Sequence, residues 1–415
     1  MDNGYDKVKI PEFQVERVLN VLSQQQGWGI KQLNIPDAWS FTKGKGVTIA
    51  VIDTGMTDHA DLDGNVSTGD NFVPYETDMD LNGHQTHCVG IICAKNNDMG
   101  MVGVAPKAKV ICVKALDKRG SGTYKQITAA LEYCADVLKP DIVSMSLGGP
   151  TSYEPMHAEI KKLYKMKIPV VCAAGNSGNR GVDYPAAYDE TIAVAAYDAN
   201  GKIASFSSKG DQVDLAAPGV NIYSTYLNNT YARLNGTSMA CPFLAGVIAL
   251  LISRSKHVGT KPSVQMIKDE LISHADDKGL TGKDGAWGYG VVDVVEMLED
   301  DPFSPDFPEP EPEEPVEEDP FSPEFPDDEP LIPQPYPDPP DIIPPSPIPK
   351  KKPIWKYSQF WWVVGTFILS ALAIFLLANH HNKQDQLENI DWDNRLKMEL
   401  QDKNMTMQDW FDLRR

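Results

Sequence analysis

Five short apolar runs, separated by helix-like segments, constrain the fold of this chain more than any other feature. They are rich in Val, Ile and Ala, lie between residues 46 and 197, and read GVTIAVID, KVICVKAL, DIVSMSL, IPVVCAAG and TIAVAAY. Near-continuous apolar runs of this length are typical of parallel strands that are buried on both faces. Helix-like segments follow at residues 123–138, 154–166 and 241–255. The alternation predicts an α/β domain with a mostly parallel central sheet.

Composition sets the broad class of protein. The chain has 415 residues, of which 42% are hydrophobic, which is enough for one large domain with a sizeable core. Its net charge is -20, which argues against nucleic acid as a partner. Seventeen acidic residues and no Lys or Arg lie in residues 299–349, leaving only -3 elsewhere. Six cysteines precede residue 242, mostly in apolar runs, which predicts reduced, buried thiols.

Residues 299–349 differ from the rest of the chain. Nineteen of these fifty-one residues are proline, and acidic residues fill most of the remainder without hydrophobic periodicity. Such a composition cannot bury enough apolar surface to fold, so we expect an acidic, Pro-rich disordered linker. Two interpretations stay open. The linker is a stiff spacer that reaches roughly 150 Å at ~3.1 Å per residue, or it carries a docking motif for a proline-recognition partner.

A membrane anchor is predicted after this linker. Residues 360–378 are nineteen uncharged residues, about 28 Å long as a helix, which predicts one transmembrane helix. A basic juxtamembrane segment, residues 350–359, contains four lysines, whereas only Lys383 closely follows the span. By the positive-inside rule we expect the large domain in the cytoplasm and a short C-terminal tail, residues 379–415, across the membrane. Secretion by a route without a signal peptide is the alternative.

The stretch NGHQTHCVGI contains two histidines, His84 and His87, that lie three residues apart. On a helix they would share a face, so a metal site, plain packing and one catalytic histidine are all open at this point. Partners for a catalytic histidine exist elsewhere. Asp53 ends an apolar run, Asn176 follows another, and Ser238 lies in a Gly-Thr-Ser turn before a helical run. Asp, His and Ser in this order suit acyl transfer.

Residues 24–298 resemble the subtilisin-like serine proteases, or subtilases, and look most like their intracellular bacterial branch. The matching stretches occur in family order and are AVIDTG, NGHQTHCVGI, VGVAP, SMSLGG, AAGN, YPA, APG and GTSMACP. The resemblance implies a three-layer subtilisin-like fold and hydrolysis of peptide bonds through an acyl-enzyme intermediate. It implies that Asp53 orients His84, that His84 is the general base for Ser238, and that Asn176 binds the oxyanion. His87 is then a structural neighbour.

The resemblance also implies a substrate-binding region and a calcium site. Extended substrate is expected to pair with the backbone of Ser146, Leu147 and Gly148. A carboxylate at Asp183 would favour Lys or Arg in the substrate. The substrate-binding residues are Ser146, Leu147, Gly148, Ala174, Gly175 and Asp183. Structural Ca²⁺ would be held by the side chains of Gln24, Asp61 and Asn97 and the carbonyls of Lys95, Met99 and Met101.

Two features depart from the pattern of secreted subtilases. Gln85 stands where subtilases nearly always have glycine, and we expect its side chain to crowd the histidine or the cleft. Residues 1–23 are too short for a folded pro-domain, and their VKIPEF segment resembles the inhibitory extension of intracellular subtilases. The sequence therefore predicts a membrane-tethered serine endopeptidase. For its extension, residues 1–23, two interpretations stay open: a segment that blocks the cleft, or a disordered tail. A catalytically silent peptide-binding module is the alternative, supported by Gln85.

Overall fold

The computed structural model describes residues 7–10, 16–18, 23–56, 58–257, 259, 261–299 and 303. The predicted linker (except residues 299 and 303), basic segment, transmembrane helix and C-terminal tail lie outside these residues. Within the described part, the helix Thr237–Lys256 is long and apolar enough to cross a membrane, but 94% of its most apolar window is buried. Burial of this kind is typical of the core helix of a globular domain.

The described residues form strands and helices that alternate through most of the chain. In chain order they are β1 (Lys7–Lys9), β2 (Glu16–Val18), α1 (Trp28–Gln32), α2 (Ile35–Ala38), β3 (Thr48–Asp53), β4 (Val66–Asn71), α3 (His84–Cys93), β5 (Lys109–Lys114), β6 (Ser121–Thr123), α4 (Tyr124–Tyr133), β7 (Ile142–Met145), α5 (Glu154–Lys165), β8 (Val170–Ala173), β9 (Thr191–Tyr197), β10 (Leu215–Pro218), β11 (Ile222–Tyr226), β12 (Thr230–Leu234), α6 (Thr237–His257), α7 (Val264–Ser273), β13 (Ala275–Asp276), β14 (Val291–Val292) and α8 (Val294–Glu299). A π-helical turn, Cys134–Leu138, extends α4, and a 3₁₀ turn spans Gly178–Arg180.

Seven parallel strands form the central sheet in the order β10-β9-β8-β7-β3-β5-β4. The five apolar runs of the sequence are strands β3, β5, β7, β8 and β9, so the predicted α/β fold with a mostly parallel sheet is confirmed. The two edge strands, β4 and β10, were not predicted. β4 reads VSTGDN, and its polar, partly exposed residues lack the apolar signal of a central strand.

Helices cover both faces of this sheet, which produces three layers. Along β3, Ile49 and Val51 pack into the core that contains α3 and α6, whereas Ala50 and Ile52 pack into the core that contains α4 and α5. Alternate residues of one strand therefore serve two separate cores, as the period of a strand requires. This arrangement explains why the central strands are apolar throughout.

Strand order reverses between β3 and β7. From β3 the sheet continues through β5 and β4 on one side, and from β7 it continues through β8, β9 and β10 on the other. In open parallel sheets a crevice forms at the carboxyl ends of the strands where the order reverses. Asp53 ends β3, and Ser146 directly follows β7. The fold therefore brings these two segments to the same edge of the sheet.

Candidate active site

Asp53 and His84 form a buried hydrogen-bonded pair at this edge. Both side chains are fully buried, and His84 Nδ1 lies 2.9 Å and 2.8 Å from the two carboxylate oxygens of Asp53. Burial would lower the pKa of His84, but the negative charge of Asp53 raises that pKa well above the usual 6.5. Burial also raises the pKa of the neighbouring Cys88, which keeps the thiol protonated. The carboxylate of Asp53 is therefore the charge that makes His84 more basic.

Asp80, which sequence reasoning missed, holds the first turn of α3, where His84 lies. Its buried carboxylate accepts five hydrogen bonds, from Thr54 Oγ1, the amides of Asn82, Gly83 and Thr86, and Thr86 Oγ1. A carboxylate at a helix N-terminus satisfies free amides and interacts well with the helix dipole. Asp80 thus joins the loop after β3 to the helix of His84. In the sequence, this role of Asp80 is indicated by its position four residues before His84.

Ser238 is the second residue of α6 and is 3% exposed. Its hydroxyl donates to the carbonyl of Ser146 at 3.2 Å, and Ser146 Oγ donates to the Ser238 carbonyl at 2.9 Å. Cys88 joins this serine to the histidine helix, because its Sγ lies 3.9 Å from His84 Nδ1 and 3.4 Å from the Ser238 carbonyl. The structure therefore brings Asp53, His84 and Ser238 into one small volume.

Asn176 lies beside the start of α6, in the loop after β8. Its Oδ1 accepts from the Thr237 amide at 3.0 Å and from Thr237 Oγ1 at 2.8 Å. Because the backbone N–H of Thr237 needs an acceptor, these contacts fix which end of the amide is the oxygen. The Nδ2 group is then a donor held next to Gly236 and Ser238. As one of the first residues of a helix, Ser238 also has a backbone amide without an intrahelical acceptor.

His87 faces away from this cluster. Its Nε2 lies 3.0 Å from the Ile222 carbonyl and 3.2 Å from the Ala232 carbonyl, on the side of the helix that packs against β11 and β12. Burial, together with the positive charge of His84, lowers the pKa of His87 to about 3. A neutral ring that donates to backbone carbonyls is a packing residue. The structure thus gives no shared metal site to the two histidines.

The expected crowding by Gln85 is wrong. Its side chain is fully buried and turns toward β3, where it bonds to the backbone of Val51 and Gly55 instead of entering the cleft. The polar amide finds both a donor and an acceptor there, which explains why it tolerates burial. The only sequence feature that favoured a catalytically silent module therefore has a structural explanation.

The predicted substrate-binding residues also lie together. The segment Ser146–Gly148 follows β7, and Ala174 and Gly175 follow the adjacent strand β8. Asp183 is half-buried beside both segments, since its side chain lies where a Cβ on Gly148 or Gly175 would be. Burial raises the pKa of Asp183, and the positive charge of Lys9 partly opposes that rise. An acidic side chain therefore lies against two backbones that line one end of the cleft.

The N-terminal segment Lys7–Ile10 lies along this cleft as an extended strand. β1 pairs with β6 in antiparallel register, and Lys9 exchanges two backbone hydrogen bonds with Gly148, at 3.1 Å and 3.2 Å. The Ile10 amide donates to the Gly120 carbonyl at 2.8 Å. Val8 and Ile10 are buried, whereas Lys7 and Lys9 are exposed. Backbone pairing with alternate side chains in pockets is the usual way in which a cleft binds an extended peptide.

The predicted calcium ligands surround one point of the structure. Gln24 Nε2 lies 2.8 Å from the Lys95 carbonyl, 3.5 Å from Asn97 Oδ1, 3.4 Å from the Met99 carbonyl and 3.3 Å from the Met101 carbonyl. An amide nitrogen has only two hydrogens, so it cannot satisfy four oxygens. Asp61 adjoins this oxygen cluster through Asn97 Nδ2, at 3.2 Å. With the side-chain amide of Gln24 flipped so that Oε1 faces the cluster, every ligand atom would be an oxygen. Such a set of ligands fits a hard cation such as Ca²⁺.

All six cysteines are free and buried. Burial raises the pKa of each thiol, for Cys88, Cys93, Cys112, Cys134, Cys172 and Cys241. Asp53, His84 and Cys88 lie close enough together to hold a metal ion. However, a protonated thiol is a poor metal ligand, and the hydrogen bonds to Asp53 already use the imidazole nitrogen that faces it. This trio therefore has a simpler explanation as a hydrogen-bonded cluster.

Comparison with known proteins identifies the family. The profile of the subtilase family matches residues 44–290. Thermitase of Thermoactinomyces vulgaris is 40% identical over 275 residues, which are 66% of this chain and 95% of thermitase. An intracellular serine protease of Paenibacillus polymyxa is 40% identical over 259 residues, which are 59% of this chain and 78% of that relative.

The minor extracellular protease Epr of Bacillus subtilis (strain 168) is 38% identical over 280 residues, or 67% of this chain, but the match spans only 42% of Epr. Extracellular and intracellular relatives are thus about equally similar, so identity does not single out the intracellular branch. The matched region coincides with the described domain and includes Asp53, His84, Asn176 and Ser238. The chain belongs to the subtilase family and is a subtilisin-like serine endopeptidase.

Proposed function

We propose that Asp53, His84 and Ser238 form the catalytic triad of this endopeptidase. The observation that carries the proposal is the buried contact of 2.8 Å between His84 Nδ1 and the Asp53 carboxylate. This contact fixes the ring tautomer with hydrogen on Nδ1, so that Nε2 is the basic nitrogen. Further support comes from Cys88, whose Sγ contacts both His84 Nδ1 and the Ser238 carbonyl, and from the Ser146 carbonyl, which accepts from Ser238 Oγ.

In the proposed mechanism Ser238 Oγ attacks the carbonyl carbon of the scissile peptide while His84 Nε2 accepts its proton. The resulting oxyanion receives hydrogen bonds from Asn176 Nδ2 and the Ser238 amide. His84 then returns the proton to the leaving amine as the C–N bond breaks, which leaves an acyl-enzyme. Water repeats the sequence and releases the acid product. Asp53 stays ionised throughout and stabilises the imidazolium.

We further propose a preference for Lys or Arg immediately before the scissile bond. Asp183 lies half-buried between Gly148 and Gly175, two of the residues expected to line the substrate-binding region. Burial raises its pKa and the charge of Lys9 opposes that rise, so a cation bound beside this carboxylate stabilises its ionised form. A neutral side chain there would leave that charge without a partner.

The N-terminal extension is proposed to inhibit the enzyme. The segment Lys7–Ile10 uses the same backbone groups, at Gly148 and Gly120, that an extended substrate would need. Val8 is fully buried and Ile10 is 8% exposed, so the extension occupies side-chain pockets as well as the backbone. A segment attached to the domain competes at a high effective concentration, which favours the closed state over a free peptide.

Calcium at the oxygen cluster of Gln24, Asp61, Lys95, Asn97, Met99 and Met101 would stabilise the loop that follows α3.

Membrane tethering through residues 350–378 remains a proposal made from the sequence, as do the cytoplasmic location of the domain and the proline-motif partner of the linker. Deletion of residues 350–378 tests the tether. If the shortened chain still sediments with membranes, the anchor proposal fails.

The test of the proposed function compares the full-length chain with its Ser238→Ala variant. Both would be incubated with a casein substrate and with short chromogenic peptides. We expect hydrolysis by the parent and a loss of at least about 10⁴-fold in the variant. Equal hydrolysis by both would show that Ser238 is not the nucleophile. Thermal unfolding of the two proteins would verify that the substitution leaves the fold intact.

A further inference from the structure

Gln85 connects the two segments that carry Asp53 and His84. Its Oε1 accepts from the Gly55 amide at 2.5 Å, and its Nε2 donates to the Val51 carbonyl at 2.9 Å. Val51 and Gly55 lie two residues before and two residues after Asp53. A single buried side-chain amide therefore spans the chain segment that presents the Asp53 carboxylate.

The backbone of Gln85 adds a third connection. Its amide donates to Thr54 Oγ1 at 3.1 Å, and the Thr54 amide donates to Asp53 Oδ1 at 2.8 Å. Because Gln85 directly follows His84, the same residue contacts the aspartate segment and continues the histidine helix. Both members of the Asp53–His84 pair are thus tied to one residue.

This connection lies where the sheet supports β3 on one side only. β3 pairs with β7 only from Ile49 to Val51, whereas its pairing with β5 continues to Asp53. Past Val51 the strand lacks its β7 neighbour. Gly55 then has a φ of +121°, a conformation that glycine permits, and its position allows close approach to the Asp78 and Met79 backbones. The amides of Ala115 and Leu116 donate to the Asp53 carbonyl, and Gln85 adds the side-chain contacts on either side of Asp53.

We infer that Gln85 is a positioning residue that keeps the Asp53 carboxylate aligned with the His84 ring. The inference rests on the proposed triad, but it concerns a residue that touches neither substrate nor reacting atoms. Its removal leaves the Val51 carbonyl and the Gly55 amide without a side-chain partner, and buried polar groups that lose a partner relax toward a new one. Displacement of the Asp53 segment changes catalysis more than it changes binding.

The test compares two buried amides that hold opposite ends of α3. Gln85→Met removes the hydrogen bonds at the His84 end while keeping a side chain of similar length. Asn65→Leu is the matched control, because Asn65 donates to the carbonyls of Cys93 and Pro106 at 2.9 Å each, at the far end of the helix. We would measure kcat, KM, the pH dependence of kcat/KM and the thermal midpoint for both variants of the full-length chain.

We expect Gln85→Met to lower kcat by about tenfold with KM changed less than about twofold, since a misplacement near 1 Å costs about 100-fold. The titratable groups that face His84 are Asp53 from β3 and Cys88 from its own helix, and the charge of His84 also acts on His87, which lies on the opposite side of that helix. A looser contact with Asp53 should move the acid limb of kcat/KM to lower pH. Asn65→Leu should lower the thermal midpoint without either kinetic change. Equal kinetic losses in both variants, or none in Gln85→Met, would overturn the inference.

A measurement without turnover separates this inference from the proposed function. In the Ser238→Ala background, the low-field ¹H resonance of the Nδ1 proton between His84 and Asp53 reports their contact directly. We expect Gln85→Met, and Gln85→Gly if the former does not fold, to shift or broaden this resonance, while Asn65→Leu leaves it unchanged. An unaltered resonance in the Gln85 variant would refute the positioning role. Absence of hydrolysis both by the parent and by a folded chain that lacks residues 1–22 would count against the triad proposal alone.

Discussion

Removal of two buried methyl-bearing side chains from the N-terminal extension should activate the enzyme. Val8 is fully buried and Ile10 is 8% exposed, and both pack in the core cluster that contains Leu116, Tyr124 and Leu147. Val8→Ala/Ile10→Ala removes five carbon atoms, which at ~0.8 kcal/mol per buried carbon gives about 4 kcal/mol. A released segment still buries some of its own surface, which reduces the value to about 3 kcal/mol.

About 3 kcal/mol corresponds to roughly 100-fold in the closed-to-open equilibrium. We therefore expect kcat/KM for a short chromogenic peptide to rise by up to this factor, provided that the closed state dominates in the parent. Lys9→Arg is the matched control, since Lys9 lies between the two residues and the substitution keeps both the backbone hydrogen bonds and the positive charge that acts on Asp183. Its kcat/KM should stay near that of the parent.

The assay needs intact chains, so the mass of each protein would be measured before and after the reaction. Initial rates at low substrate concentration then report the open fraction. If kcat/KM of the double variant stays within about twofold of the parent, although both chains are uncleaved and have the same thermal midpoint, the extension does not inhibit. The strand pairing at Gly148 would then have no regulatory consequence.

Three further predictions concern the specificity, the metal and the pH dependence of the enzyme. Asp183→Asn should lower kcat/KM for peptides with Lys or Arg before the scissile bond by about 10- to 100-fold relative to peptides with Phe there, because a hydrogen bond to a charged group contributes about 1.5–3 kcal/mol. An unchanged ratio in a panel of matched peptides would show that Asp183 does not determine this preference. Chelation of Ca²⁺ should lower the thermal midpoint by roughly 5–10 °C, as expected when the free Ca²⁺ concentration is about 100 times the Kd of the site. Asn97→Ala should abolish most of this difference. Identical midpoints with and without chelator would contradict the site. His84 is the proposed base and its pKa is raised well above 6.5, so kcat/KM should rise with pH through that pKa. Asp53→Asn should move the rise to lower pH while lowering kcat by about 10⁴-fold. A pH profile that keeps its position in Asp53→Asn would show that Asp53 does not raise the pKa of His84.

The central strands could be predicted because burial on both faces leaves an unmistakable apolar run. β3, β5, β7, β8 and β9 are such runs, whereas the edge strand β4 has polar, partly exposed residues that resemble a loop. Edge position is a property of the whole sheet, and the local sequence does not encode it. The same limit explains the short strands β1 and β2, whose partners lie more than 100 residues away along the chain.

The candidate site shows the same division between local and distant information. Asp53, His84, Asn176 and Ser238 could be proposed because each follows a strand or begins a helix within a motif of the family. Asp80 was missed because an acidic residue in a loop looks solvated until its five donors are seen. The direction of the Gln85 side chain likewise depends on backbone groups that lie thirty or more residues earlier.

The proposed activity requires that Ser238 is a nucleophile activated by His84. The most direct measurement treats the full-length chain with a fluorophosphonate and maps the covalent adduct by peptide mass spectrometry, beside the Ser238→Ala variant and a chain that lacks residues 1–22. We expect one adduct, on Ser238, that forms faster in the chain lacking residues 1–22 and is absent from the Ser238→Ala variant. A folded, shortened chain that stays unlabelled, or one labelled at another residue, would contradict it.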